Sequence, residues 1–76
     1  MIDLAAIRQA AGLTQVELAA NLGVGQAQIS KIERQADMLI STLAGYLAAL
    51  GVDAKIVIEV GEEVVTCDLT EETGAR

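Results

Sequence analysis

Between residues 26 and 34 the sequence reads QAQISKIER, with Gln26 at its head and Gln28, Lys31 and Arg34 spaced three apart. At helical periodicity these polar side chains share one face, and Ile29 and Ile32 fall on the opposite one. Glutamine amides both donate and accept, whereas Lys and Arg donate and carry charge. That combination suits base edges and phosphates. No other grouping supports catalysis or metal binding. The chain has no His and a single Cys, Cys67, so the carboxylate pairs Glu62–Glu63 and Glu71–Glu72 have no ligand cluster to join. They read as solvated surface. Gly23-Val24-Gly25 lacks the preceding strand and following Lys of a phosphate-binding loop. The residues point to a binding protein, neither an enzyme nor a carrier of metal or cofactor.

The elements that must position residues 26–34 are short. Asp3 can cap a first helix running to about Ala11, with Leu4, Ile7 and Ala11 on one face and Gly12 as its stop. Thr14 and Glu17 then form a Thr-x-x-Glu capping box, in which hydroxyl and carboxylate satisfy orphan amides reciprocally. Leu18, Ala19 and Leu22 face inward on this second helix, and Gly23 closes it. Val24 is expected to plug the angle before a third helix from about Gln26 to Arg34. Two short helices about a Gly-containing turn make a helix-turn-helix, whose second member stands out from the body while the first braces it. Ser41 is expected to cap a fourth helix, with Leu43, Leu47 and Leu50 inward and Gly51 at its end.

Beyond residue 53 the period changes to two. AKIVIEV and EVVTCDL alternate around Gly61–Glu62, which predicts a hairpin with a type II′ turn. Its register sets Ile58 opposite Val65, Ile56 opposite Cys67 and Lys55 opposite Asp68, giving an apolar face and an opposite-charge pair. Cys67 is expected to pack in the core. A lone hairpin is marginal. The helices can cover Ile56, Ile58, Val65 and Cys67, but Val57 and Val64 remain on the other face beside free strand edges. Such edges are normally paired, so Ile56, Val57, Ile58, Val60, Val64, Val65 and Cys67 are expected to form a homodimer interface. The organisation is therefore residues 1–52 as a DNA-binding unit, 53–69 as a dimerising hairpin and 70–76 as a loose tail.

Composition sets limits on this scheme. With 76 residues there is one small domain, and 53% of them are hydrophobic although only one, Tyr46, is aromatic. The interior is expected to consist of Leu, Ile, Val and Ala without large rings. One cysteine precludes an internal disulfide and fits a reducing compartment. The apolar run of MIDLAAIRQAAG is too short for a signal peptide or spanning helix, which predicts a soluble, cytoplasmic protein. The formal charge of −6 is uneven. Residues 1–36 balance, whereas residues 37–76 hold eight carboxylates against Lys55 and Arg76. DNA-binding proteins usually present a basic field, so the acidic half indicates a basic partner or simple solubility.

The stretch LTQVELAANLGVGQAQISKIER resembles the lambda-repressor-like, xenobiotic-response-element (XRE) type of helix-turn-helix regulator. The resemblance rests on Leu13–Gln15, Leu18–Ala19, Leu22–Val24, Ile29–Ser30 and Ile32–Arg34, and covers about residues 3–51. DMLISTLAGYLAALG followed directly by strands is similar to the antitoxins of RelE-like toxin systems, the host-inhibition type. The fold implied is mainly α, a lambda-repressor-like bundle of four or five helices with a C-terminal β-hairpin. The function implied is a dimeric transcriptional repressor, an antitoxin that binds a palindromic operator in its own promoter and neutralises a basic RelE-like toxin.

The resemblance also assigns residues. Gln15 is expected to touch phosphate and brace Gln26, which pairs bidentately with adenine. Gln28 and Lys31 reach the groove, and Ala27 can offer a methyl to thymine. Ser30 and Arg34 either meet phosphate or remain helix-surface groups, and Thr14 completes the candidate DNA-binding set. Arg8 and Glu33 are implied to form a structural ion pair between the first helix and the recognition helix. Two departures stand out: Gly25 replaces a capping Ser or Thr, and Gln35 replaces the usual Gly, before a loop with no basic residue. Both imply weak DNA affinity per subunit. The alternative from another class is a protein-interaction module of the same fold that engages a basic partner without operator binding.

Overall fold

The computed structural model describes residues 2–70; the expected tail lies largely outside them. The described residues contain four helices, α1 (Leu4–Ala10), α2 (Gln15–Leu22), α3 (Gln26–Arg34) and α4 (Ile40–Leu50), then strands β1 (Lys55–Val60) and β2 (Glu63–Asp68). Each early boundary has a local cause. Asp3 accepts from the Ala6 amide to start α1. The Thr14–Glu17 box is complete, with the Glu17 amide 3.1 Å from Thr14 Oγ1 and the Thr14 amide 2.9 Å from Glu17 Oε1. Gly23 ends α2 at φ +80, a left-handed conformation that side chains disfavour.

Four buried segments meet in one core. Leu4, Leu18, Ala19, Ile29, Ile32, Leu47 and Leu50 supply its aliphatic part. The expectation of a ring-free interior is overturned: Tyr46 is fully buried at 0% exposure. Its ring continues the inward stripe of α4, where aliphatic side chains alone leave a gap between the first and fourth helices. Ala11, expected inward, is exposed because α1 has already ended there. Val24 is largely exposed too, and it contributes through its backbone, donating to the Ala19 carbonyl at 3.0 Å.

The start of α4 also differs from the sequence expectation. Leu39, at φ −68 and ψ 147, is the capping residue; no side chain caps the helix, and Ser41 lies inside its first turn. Leu39 supplies the carbonyl that accepts from the Leu43 amide at 3.1 Å. The hydroxyl preference was outweighed by the packing of α4, which begins early enough to bring Leu43 against the core.

The hairpin has the expected register, with Lys55 opposite Asp68, Ile56 opposite Cys67 and Ile58 opposite Val65. Gly61 has φ +63 and Glu62 has none of the positive φ that a type I′ turn requires, so the turn is of the II′ kind. Lys55 and Asp68 are register partners only, since Arg8–Glu33 is the ion pair found among the described residues. The covering of the hairpin is the larger correction. Ile58 and Val65 are 50% and 52% exposed, and Cys67 is exposed rather than packed. The helices reach only the hairpin's base. There Leu69 donates to the Ala54 carbonyl at 2.9 Å, the Ala54 amide donates to Thr70 Oγ1 at 2.8 Å, and Val52, Ala54 and Leu69 rest against the core. Beyond that point the strands outrun the short helices, and both faces are left open.

Gly45 lies within α4 at an ordinary helical φ, and a methyl group there would meet nothing within 4 Å. Gly45→Ala should therefore stabilise the chain by about 0.5–1 kcal/mol through reduced backbone entropy of the unfolded state. Gly23→Ala should destabilise it. Urea unfolding of both variants checks the opposite signs.

Candidate nucleic-acid interface

α3 starts without a side-chain cap, because Gly25 offers only its carbonyl, which accepts from the Gln28 amide at 3.1 Å. Ile29 and Ile32 anchor the helix in the core. The opposite face exposes Gln26, Ala27, Gln28, Lys31 and Arg34 together. Ser30 is half-buried, and its hydroxyl accepts from Arg34 Nη1 at 2.8 Å, which lays the Arg34 side chain along the helix. Thr14 is exposed at the start of α2, with its hydroxyl oxygen engaged in the cap. The turn through Gly23 brings the beginnings of α2 and α3 together: Gln26 Nε2 donates to Gln15 Oε1 at 3.2 Å.

Gln15 continues this chain inward, donating from Nε2 to Glu33 Oε1 at 3.0 Å. Arg8 Nε donates to Glu33 Oε2 at 2.7 Å, and Arg8 Nη2 lies 3.4 Å from Oε1. The two side chains are 10% and 6% exposed, so this is a largely desolvated pair. Arg8 Nη1 also donates to the Leu13 carbonyl at 2.9 Å, fixing the connection between α1 and α2. The Tyr46 hydroxyl sits 2.6 Å from Glu33 Oε2 and 3.2 Å from the Leu4 carbonyl. It has one proton, and the shorter, charge-assisted contact takes it.

Sequence reasoning missed Tyr46. Its signal was its place three residues after Leu43 and next to Leu47, the inward stripe on α4, as the only ring in the chain. A buried phenol needs a partner, and the carboxylate of α3 is the one within reach.

The ionisation states follow from these contacts. Burial pushes the Glu33 carboxyl up, but hydrogen bonds from Arg8, Tyr46 and Gln15, with the Arg8 charge, hold it below the usual carboxylate value. Hydrogen bonding to Glu33 strengthens the Arg8 charge despite burial. Burial first, then donation to Glu33, pushes the Tyr46 phenol well above its usual range, so it remains a donor. Among the described residues no helix is long and apolar enough to cross a membrane, and no group of three or more His, Cys, Asp or Glu could hold a metal.

A polar-faced helix held out from the core by a braced predecessor defines a helix-turn-helix protein. The chain belongs to the helix-turn-helix family, whose model matches residues 4–56. It is 46% identical over 66 residues to "Putative antitoxin HigA3" of Mycobacterium tuberculosis, a match covering 82% of this chain and 60% of that protein. The chain thus spans about three-fifths of the length of that relative. It is also similar to a structure described as "DNA bound antitoxin HigA3", with 40% identity and a TM-score of 0.78 over 99% of this chain and 97% of that one. A second, described as "Induced DNA bending by unique dimerization of HigA antitoxin", has 41% identity and a TM-score of 0.77, covering 87% and 92%.

Arg8→Ala leaves the Glu33 carboxylate buried without its cation, which should cost about 3–5 kcal/mol. Arg8→Met combined with Glu33→Leu should recover much of that loss. Equal, uncoupled losses in thermal melts would contradict an energetic link between the two residues. Acid provides a second check. Because folding lowers the Glu33 pKa, its stabilising contribution is complete above the unfolded value and is lost as pH falls through the folded one. The melting temperature of the native chain should fall more than that of the double variant as pH drops below about 4.5, the ordinary carboxylate value.

Proposed function

We propose that this chain is a dimeric, sequence-specific DNA-binding transcriptional regulator of the antitoxin type, acting in the cytoplasm by binding rather than by catalysis. The observation that carries the proposal is the exposed polar face of α3, with Gln26 held at its head by Gln15. α3 enters the major groove. Gln26 pairs with adenine, Gln28 and Lys31 reach neighbouring base edges, and Ala27 meets a thymine methyl. Thr14, Gln15, Ser30 and Arg34 lie along the phosphates. The similarity to chains described as DNA-bound and dimerising HigA antitoxins supports the same assignment.

Residues 1–52 form the DNA-binding unit and residues 53–69 the dimerising one. The exposed Val57, Ile58, Val60, Val64 and Val65 give the hairpin an apolar surface that a second copy covers about a two-fold axis, with Ile56 and Cys67 on the same strands. The two-fold sets two recognition helices about one DNA turn apart, roughly 34 Å, and demands a palindromic operator. It also doubles the few phosphate contacts that three basic residues in the first 36 can make. The acidic second half serves a different partner, a basic toxin of the RelE-like kind. That acidity also favours the second reading, a module that engages the basic protein without reading DNA.

Selection of bound duplexes from a random pool at low salt separates the two readings. The regulator should enrich a palindrome, and Gln26→Ala should weaken binding to it by about 1–3 kcal/mol and relax one base position per half-site. Failure to enrich any sequence leaves the interaction module. In sedimentation the full chain should be a dimer at micromolar concentration, and a chain ending at Val52 should be monomeric or unfolded and lose operator binding.

A further inference from the structure

The hydrogen-bond chain from Glu33 to Gln26 has a direction, imposed by the chemistry of its buried end. An ionised carboxylate only accepts. Gln15 must therefore turn Nε2 toward Glu33 Oε1, at 3.0 Å, which leaves Gln15 Oε1 facing α3. An oxygen there requires a donor, and Gln26 Nε2 supplies it at 3.2 Å. One Nε2 hydrogen of Gln26 is thereby used. What Gln26 presents outward is its second N–H together with Oε1, which accepts no hydrogen bond among the described residues. If Gln15 were turned round, its Nε2 would occupy Gln26 Oε1 instead, and Gln26 would present two N–H groups.

The two orientations suit different bases. A donor beside an acceptor matches the major-groove edge of adenine, N7 and N6–H; two donors match guanine, N7 and O6. We infer that Glu33 is a positioning residue that sets adenine over guanine at the base Gln26 reads, acting through Gln15 and without touching DNA. The inference deepens the proposed function and rests on its placing of α3 in the major groove. Glu33 is well suited to the task, since its side chain is 6% exposed and is held from three sides. Tyr46 at 2.6 Å and Arg8 Nε at 2.7 Å occupy Oε2, which orients Oε1 toward Gln15. Burial opposes the charge on Glu33, but the donated hydrogen bonds more than offset it, so the carboxylate stays an acceptor.

The test uses the full chain and the selected operator. The base position is first located as the one that Gln26→Ala relaxes, and duplexes are then made with A·T or G·C there. The native chain should prefer A·T by roughly tenfold or more, the scale of one bidentate base contact. Gln15→Leu leaves Arg8 and Tyr46 on Glu33, so the buried pair persists while the relay is cut. The preference should then shrink to within about threefold, with an unchanged salt dependence. Glu33→Gln should do the same wherever its melt shows a folded chain, and Gln15→Leu decides the matter where it does not. Full retention of the adenine preference in Gln15→Leu overturns the inference. So does an equal loss on both duplexes with a salt slope shallower by about one, the signature of a lost phosphate contact. If Gln26→Ala relaxes no position, the groove placement of α3 fails and the inference with it. If Gln26→Ala relaxes one and Gln15→Leu leaves it intact, the inference alone fails.

Discussion

One carboxylate, Glu33, is where all four helices meet. It takes hydrogen bonds from Arg8 on α1, Gln15 on α2 and Tyr46 on α4, while itself belonging to α3. The rest of the core is aliphatic, and aliphatic burial is strong but non-directional. Leu, Ile and Ala side chains bring short helices together without dictating how each is rotated. Four donors on two oxygens impose far narrower limits of distance and angle. The pair need not add net stability, since its desolvation offsets much of the attraction. Its effect lies in geometry: it sets the angle at which α3 leaves the body.

The molecule divides its apolar surface between two solutions. The helices bury theirs internally around Tyr46 and Leu18, both at 0% exposure. The hairpin buries little of its own and keeps its pairing partner only across the β1–β2 ladder. Charge follows the same division. The carboxylates in excess lie from Asp37 onward, and the part carrying the polar helix is neutral. An acidic chain can thus present a face that does not repel a polyanion, provided the hairpin end is directed away from it.

Much of this was legible in the residues because it was local. The Asp3 and Thr14–Glu17 caps, the glycine stops, the bounds of α3 and the hairpin register each follow from a few neighbouring side chains. What escaped was tertiary. Tyr46 looked like an isolated aromatic because its partner, Glu33, is thirteen residues away and on another helix. Ser41 looked like a cap because hydroxyls favour that position, yet the packing of Leu43 and Leu47 sets where α4 begins. The alternation in β1 and β2 correctly paired their residues but could not say that the helices were too short to reach them. The contact of Gln15 with Gln26 was implied by family resemblance, while the link from Gln15 to Glu33 needed coordinates.

The exposed face of α3 is attached to the core by only two side chains, Ile29 and Ile32, on its far side. Ala27, Gln28 and Lys31 have no internal hydrogen bonds among the described residues, so replacing them disturbs no packing and no buried group. Such positions can drift under mutation at almost no thermodynamic penalty. Gln26 is different, because it is tethered through Gln15 to the carboxylate that joins the four helices. A lineage built on this frame can therefore diversify what the later turns of α3 recognise while the head of the helix stays conservative. Duplicated copies would diverge in their targets by surface substitutions alone, without first having to acquire a more stable scaffold.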